Sequence, residues 1–365
     1  MGAMQTLKSL LLACLLVAAT AAEDLTPKVA EDGTVTTVSA QFPFSSWASP
    51  QALTRFREIL REDKGAPGIA DPLASRKFYD KINSDRAERM KKLYPVQVEA
   101  TTIAGVPVAI VSTAVSNSDP RRVLINLHGG AFLWGAGSGG LVESIPIASL
   151  SKIAVVTVDY RQGPENTYPA ATEDVEKVYR ALLRRYPASG IGIYGCSAGG
   201  VLSAQSVAWF QRQGLPRPGA VGIFCAGVVN MDGDSYFVGP MLMGQIPPAP
   251  HPPGLGFLSY FQGADFGSPL VLPGNSAEVL AKFPPTLLIS GTRDMALSAV
   301  LRSDDLLTRA GAVAELHVWE GMWHSFFSDP ELPESKAAYA VIAEFFDRRL
   351  AAHRPVAQGT KTVNK

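Results

Sequence analysis

The sequence predicts an α/β protein with a mixed, mostly parallel sheet, and three observations carry the prediction. From residue 122 onward, short Val/Ile-rich runs alternate with helical patterns. Two earlier runs, 96–103 and 106–112, alternate residue by residue around Gly105 and read as a hairpin. The hydrophobic fraction is 47% and the charged fraction 18%, enough apolar material for a large core and incompatible with a disordered chain.

The elements follow in order. Residues 1–22 carry Lys8, an apolar run from Ser9 to Ala19 and the small-residue end Ala21-Ala22, the pattern of a cleavable export signal. The run is short for a membrane span, so no stable membrane insertion is expected after cleavage. Residues 23–93 hold amphipathic helical pieces at 49–62 and 71–93, broken by Pro and Gly. After the hairpin, strands are predicted at 122–127, 153–159, 190–194, 220–225, 286–290 and 314–319. Helices are predicted between and after them at 139–152, 170–186, 198–213, 297–310 and 335–351. The result is an eight-stranded sheet flanked by helices, made mixed by its first two strands. About sixty residues separate the strands at 220–225 and 286–290, including the Pro-rich run 247–253. A connection of that length is functional more often than idle. With 23–93, a segment at about 235–270 is expected to cap the carboxyl edge of the sheet, where ligands bind in such folds. The main, sheet-bearing domain then spans 94–350, and 351–365 form a flexible tail.

Composition excludes other classes. Lys+Arg and Asp+Glu balance at 33 each, so no basic footprint for nucleic acid exists. Three cysteines, without Cys/His pairs at ligand spacing, speak against a disulfide scaffold and a structural zinc site.

The chemistry concentrates at strand ends. Gly195-Cys196-Ser197-Ala198-Gly199 is a G-x-S-x-G between a strand and a helix. A nucleophile held on so sharp a turn needs neighbours without side chains two residues to either side. His128-Gly129-Gly130-Ala131 ends an earlier strand, and its consecutive glycines allow backbone N–H groups to converge on an oxyanion. Gly129, Gly130 and Ala198 are the predicted donors. Ser197 then requires a base and an orienting acid. Asp294 follows the strand at 286–290, and His324 follows the strand at 314–319, both at the carboxyl edge. His317 lies inside a strand, His251 in the Pro-rich loop, His353 near the C-terminus and His128 in the glycine turn, so they fit less well.

These motifs together resemble the α/β-hydrolase fold, and within it the hormone-sensitive-lipase-like group of bacterial esterases. His128-Gly129-Gly130-Ala131 resembles that group's H-G-G-G element, with Ala131 replacing the third glycine. The stretch Asp159-Tyr160-Arg161-Gln162-Gly163-Pro164-Glu165, then Pro169-Ala170-Ala171 and Glu173-Asp174, resembles D-Y-R-L-A-P-E…P-A-A…E-D. Gly195–Gly200 matches the elbow except at Cys196, and Gly291–Asp294 and Gly321–Phe326 match the acid and histidine segments. The resemblance implies a Ser-Asp-His carboxylesterase acting on small-molecule esters, with a helical cap and no cofactor or metal. It assigns Ser197, Asp294 and His324 the catalytic roles, and makes Glu165 and Asp174 structural. A lactonase would use the same machinery, and a receptor on this scaffold typically lacks a triad member. Cys196 either fills space or pairs with Cys225. Trp134 and Trp323 are candidate walls of the substrate pocket. Export to a bacterial periplasm or beyond is expected, and an oligomer is compatible with the sequence.

Overall fold

The computed structural model describes residues 28–30, 35–36, 41–62, 65–116, 121–246 and 254–351. The expected export signal, the Pro-rich run 247–253 and the tail beyond residue 351 lie outside the described residues. The chain divides into two units, Met1–Pro43 and Phe44–Lys365. Within the first, β1 (Lys28–Val29) and β2 (Val35–Thr36) pair antiparallel.

The second unit begins with α1 (Pro50–Glu62) and α2 (Pro72–Leu93). The start of α2 follows from sequence: the Asp71 carboxylate accepts Ala74 N–H at 3.0 Å, and Pro72 occupies the first turn. Lys91 and Lys92 close its last turn, where a cation suits the helix dipole. The predicted hairpin is present as β3 (Gln97–Ile103) and β4 (Val106–Ser112), joined by Ala104 and Gly105 with φ of 50° and 80°.

Strands and helices then alternate: β5 (Val123–Leu127), α3 (Ser138–Ser151), β6 (Ala154–Val158), α4 (Ala170–Leu182), β7 (Ile191–Cys196), α5 (Ala198–Arg212) and β8 (Ala220–Phe224). After the long connection, which contains α6 (Asp234–Leu242) and α7 (Ala277–Leu280), come β9 (Thr286–Gly291), α8 (Leu297–Arg309), β10 (Ala314–Trp319) and α9 (Pro333–Ala351). The sheet order is β10-β9-β8-β7-β5-β6-β4-β3. Within this eight-stranded sheet, only the β3–β4 and β4–β6 pairs are antiparallel.

Strands β5 through β9 are buried along their whole length, because helices cover both faces. Side chains alternate between the two layers. Leu124 and Tyr194 pack with Ile145 of α3 and Phe345 and Phe346 of α9. Ile125 and Ile193 pack on the other face with Val178 of α4 and Leu202 of α5.

This topology positions the site. The crossover through α3 adds β6 on one flank of β5, and the crossover through α4 returns to add β7 on the other. The carboxyl ends of β5 and β7 therefore open at the point where strand order reverses, with Leu127 opposite Gly195. In open α/β sheets that crevice is the ligand site.

The expected cap is only partly seen as expected. From α2, Arg76 donates to the Leu133 carbonyl at 2.7 Å and to Glu165, and Tyr79 stacks on Trp134 with centroids 4.6 Å apart. From α1, Phe56 lies 6.2 Å from Trp323, and Arg55 donates to buried Asp329 at 2.9 Å. Both helices thus border the carboxyl edge. The segment at about 235–270, read from sequence as one cap, divides in two. Its α6 lies against Met295, next to Asp294. Leu255, Leu258, Tyr260 and Phe261 belong instead to the core, with Tyr260 stacked on Phe132 at 4.6 Å. Large aromatics can be hidden by the body of a fold as readily as by a cap, and the sequence does not distinguish the two.

Candidate active site

Strand β7 runs out at Cys196, and Ser197 turns the chain into α5 with φ 56° and ψ −121°. Few non-glycine residues adopt such a conformation. Crowding from β5 imposes it. A Cβ on Gly199 would lie 1.7 Å from the Leu127 carbonyl oxygen, and one on Gly195 would lie 2.1 Å from it. Both contacts are impossible, so the elbow requires glycine at both positions. The turn is fastened by Ser197 N–H donating to the Phe224 carbonyl at 2.8 Å.

Two further loops meet at this point. Asp294, at the end of β9, is fully buried, and each carboxylate oxygen is engaged. Oδ1 accepts Ala296 N–H at 2.9 Å, and Oδ2 accepts the Ser290 hydroxyl at 2.8 Å. His324 Nδ1–H donates to Oδ1 at 2.7 Å. On the other side of the ring, the Ser197 hydroxyl donates to His324 Nε2 at 2.9 Å. The acid and histidine loops are bound to each other through the backbone. Thr292 N–H donates to the Trp319 carbonyl at 3.0 Å, Arg293 N–H to the Met322 carbonyl at 2.9 Å, and Gly321 N–H to Thr292 Oγ1 at 2.8 Å.

Electrostatics match this geometry. Burial disfavours the imidazolium of His324, but the charge and hydrogen bond of Asp294 outweigh it, and the histidine shifts upward. Burial likewise opposes the Asp294 carboxylate. The His324 charge and the bonds from His324, Ala296 and Ser290 nevertheless hold it below its usual range.

The glycine turn after β5 corrects one prediction. Gly129 N–H donates to Glu143 Oε1 at 2.8 Å, so it is already engaged and does not offer itself to an oxyanion. Among the described residues, no acceptor is seen for the N–H groups of Gly130, Ala131 or Ala198. Ala131 and Phe132 both have positive φ, 53° and 56°, so the chain coils tightly there. His128 braces the turn: Nδ1–H donates to the Gly129 carbonyl at 2.8 Å, and Nε2 lies 3.2 Å from Gln162 Nε2. Its ring stacks on Tyr160 with centroids 4.3 Å apart. Burial lowers its pKa, as suits a neutral bracing ring.

The remaining predicted residues separate clearly. Trp134 is half-buried on the cleft lined by Arg76, Asp80, Gln162 and Asn166, which has a volume of about 420 Å³. Trp323 is 5% exposed and packed among core residues, so it is a packing residue rather than an open pocket wall. Cys196 and Cys225 are both buried free thiols, which excludes the disulfide alternative. Each contacts Ser325: Cys196 Sγ lies 2.9 Å from its hydroxyl, and its N–H donates to Cys225 Sγ at 3.3 Å. Among the described residues, the one group of metal-ligand type is Cys225, Asp294 and His324, and the Asp294–His324 hydrogen bond already accounts for two of the three. Glu165 pairs with Arg76, which holds its carboxyl down to about 2, and buried Asp174 accepts Arg161 at 2.8 Å. Both are thus engaged in ion pairs with arginine, and Glu165 also lines the cleft. His317 lies within β10, with Nε2 3.2 Å from Glu315 Oε1. Sequence reading missed Glu143, although it is the one charged residue in α3. A lone carboxylate in an otherwise uncharged helix was the available signal.

A family model described as the α/β-hydrolase fold matches residues 124–328. The chain belongs to this family. An acetyl-hydrolase of Streptomyces hygroscopicus is 27% identical over 229 residues, covering 61% of this chain and 75% of that protein. An esterase of Acinetobacter venetianus is 26% identical over 267 residues, covering 71% and 86%. A crystallised esterase superposes with a TM-score of 0.75 at 30% identity, covering 86% of this chain and 98% of that one. An esterase of the bacterial hormone-sensitive lipase family superposes at 0.72 with 26% identity, covering 83% and 99%. The group recognised in the sequence is thus also the group of these structural neighbours. A gibberellin receptor of Oryza sativa subsp. japonica is 29% identical over 119 residues, covering 31% of this α/β hydrolase and 34% of the receptor.

The elbow's steric demand is directly testable. Gly199→Ala is expected to destabilise the protein by about 3 kcal/mol or more, since overpacking against backbone cannot relax by a rotamer change. Urea unfolding measures this, and a wild-type midpoint would show that the turn has room to spare.

Proposed function

We propose that this α/β hydrolase is a serine carboxylesterase that cleaves short to medium carboxylic esters through an acyl-enzyme. The observation that carries the reading is one line of hydrogen bonds, from Ser197 Oγ through His324 to Asp294, with distances of 2.9 and 2.7 Å. In this reading His324 Nε2 takes the hydroxyl proton as Ser197 Oγ attacks the ester carbonyl. Asp294 fixes the tautomer that leaves Nε2 free to accept, and it stabilises the imidazolium that forms. The tetrahedral oxyanion is held by the N–H groups of Gly130 and Ala198, with Ala131 in place of Gly129. At the N-terminus of α5 the helix dipole adds to this stabilisation. His324 then returns its proton to the leaving alcohol. Water repeats the sequence on the acyl-enzyme and releases the acid.

The relationship to a receptor raises a second, non-catalytic reading. An intact hydrogen-bonded serine, histidine and aspartate weighs against it, because a binding protein has no use for a serine proton acceptor.

Ser197→Ala is expected to abolish turnover of a p-nitrophenyl ester, leaving at most the about thousandfold over water that oxyanion binding supplies. A variant that kept a tenth of wild-type kcat would sink the assignment. Labelling by a fluorophosphonate probe should disappear in parallel.

Activity is expected to rise with pH through the ionisation of His324, with a midpoint above the ordinary histidine value. The sign follows from the mechanism: below the midpoint the ring is protonated and cannot accept the serine proton. A flat profile between about pH 5 and 9 would argue against a histidine base.

We also propose that α1, α2 and α6 set substrate size. Exposed Met241 and half-buried Phe237 stand on α6, beside the Asp294 loop. Replacing both by Ala is expected to shift kcat/KM between short and long acyl esters without loss on the shortest. Equal loss on both substrates would remove α6 from the pocket.

A further inference from the structure

We propose that Glu143 is a positioning residue whose carboxylate clamps the oxyanion turn to the nucleophile elbow. The inference rests on the reading of Ser197 as nucleophile and of Gly130, Ala131 and Ala198 as oxyanion donors. Glu143 stands on α3 and belongs to neither loop. Its Oε1 accepts Gly129 N–H at 2.8 Å, and its Oε2 accepts Cys196 N–H at 3.2 Å. Gly129 immediately precedes the first free oxyanion donor, and Cys196 immediately precedes the nucleophile. One carboxyl group therefore holds the backbone one residue before each reacting element.

The sheet explains why such a clamp is needed. Ladder pairing between β5 and β7 ends at Leu127 and Gly195. Beyond that pair the strands turn into different loops and can no longer offer each other carbonyl acceptors. Glu143 meets the stranded N–H groups of both. The His128–Gly129 peptide is fixed at its other end as well, because the Tyr160 hydroxyl donates to the His128 carbonyl at 2.6 Å. With the Gly129 carbonyl held by His128 Nδ1, the orientation of the next peptide, which carries Gly130 N–H, is set on every side.

The chemistry calls for a carboxylate and no other group. A third donor, Asn126 Nδ2, lies 3.0 Å from Oε2. Asn126 cannot turn its oxygen there instead, since that oxygen accepts the Thr157 hydroxyl. All three neighbours of Glu143 are donors, so both its oxygens must accept. A glutamine would point its NH₂ at one N–H or another. Burial pushes the Glu143 carboxyl up to about 7, against the hydrogen bonds that favour its ionised form.

Glu143→Gln, nearly the same shape, tests the clamp. The concentration of working sites is first counted by titration with a fluorophosphonate, so that kcat refers to folded enzyme alone. A misaligned oxyanion donor should cost up to the about 100-fold of a deleted one, so a loss of about 10- to 100-fold in kcat is expected, with KM changed less than about threefold. The rate of phosphonylation of Ser197 by a p-nitrophenyl phosphonate should fall by the same factor as kcat. A purely structural role would instead lower the number of working sites and the unfolding midpoint while leaving kcat per site intact, and that result overturns the proposal. Tyr160→Phe releases the carbonyl end of the same peptide and provides a second route should the glutamine variant fold poorly. It should give a smaller loss confined to kcat, and an unchanged kcat there would also count against the clamp. Ser197→Ala separates the two levels. If that variant is dead while Glu143→Gln keeps wild-type kcat, only the clamp fails. If Ser197→Ala retains activity, the nucleophile reading fails with it.

Discussion

The carbonyl oxygen of Leu127 presses on the turn after β7 so closely that no Cβ fits at Gly195 or Gly199. Much of the site depends on that contact. It arises because β5 and β7 are neighbours in the sheet while their connecting helices lie on opposite faces. Two strand ends are thereby left side by side at the carboxyl edge. Ser197 is forced into a left-handed conformation, its side chain leaves the plane of the sheet, and α5 begins directly behind it. The conformation is held by the close packing of β5 against the turn and by the Ser197 N–H bond to the Phe224 carbonyl.

A second constraint is the burial of ionisable groups. Asp294 is fully buried, yet stays charged because two donors and the facing imidazole compensate its lost hydration. Glu143 faces the same problem with three donors and no cation. The first carboxylate accepts from the His324 ring, and the second accepts from two backbone N–H groups. Each is costly to bury and tolerable only in one geometry, which is how buried charge converts a loose arrangement of loops into a defined one. The free thiols of Cys196 and Cys225 fill the space beneath, where they meet Ser325 next to the histidine.

Around this centre the first helices act as a border. Arg76 grips the oxyanion turn through the Leu133 carbonyl, and Arg55 grips Asp329 a few residues past His324. Phe44, Phe56 and the Arg293 guanidinium form a stacked group over the acid loop, with the cation 4.7 Å and 5.1 Å from the two ring centroids. The first two helices are thus tied to the glycine turn and to the loops that carry Asp294 and His324.

The strand–helix alternation, the hairpin and the order of the elements were legible in the sequence because each rests on local periodicity. The serine, aspartate and histidine were legible too, because each follows a strand that must end at the same edge. What local pattern could not decide was where three-dimensional contacts assign each group. Gly129 looked like an oxyanion donor until a helix fourteen residues away supplied an acceptor for its N–H. Trp323 looked like a pocket wall, and the core absorbed it. The aromatic segment around Tyr260 and Phe261 looked like cap and turned out to be core. In each case the residue type states what a side chain or N–H can do. Only the neighbours brought close by folding decide whether it is free to do it. Sequence therefore determined which chemistry is present and on which edge of the sheet it sits. Tertiary structure decided which hydrogen-bonding groups are left for a substrate, because a donor already satisfied inside the fold has nothing further to give.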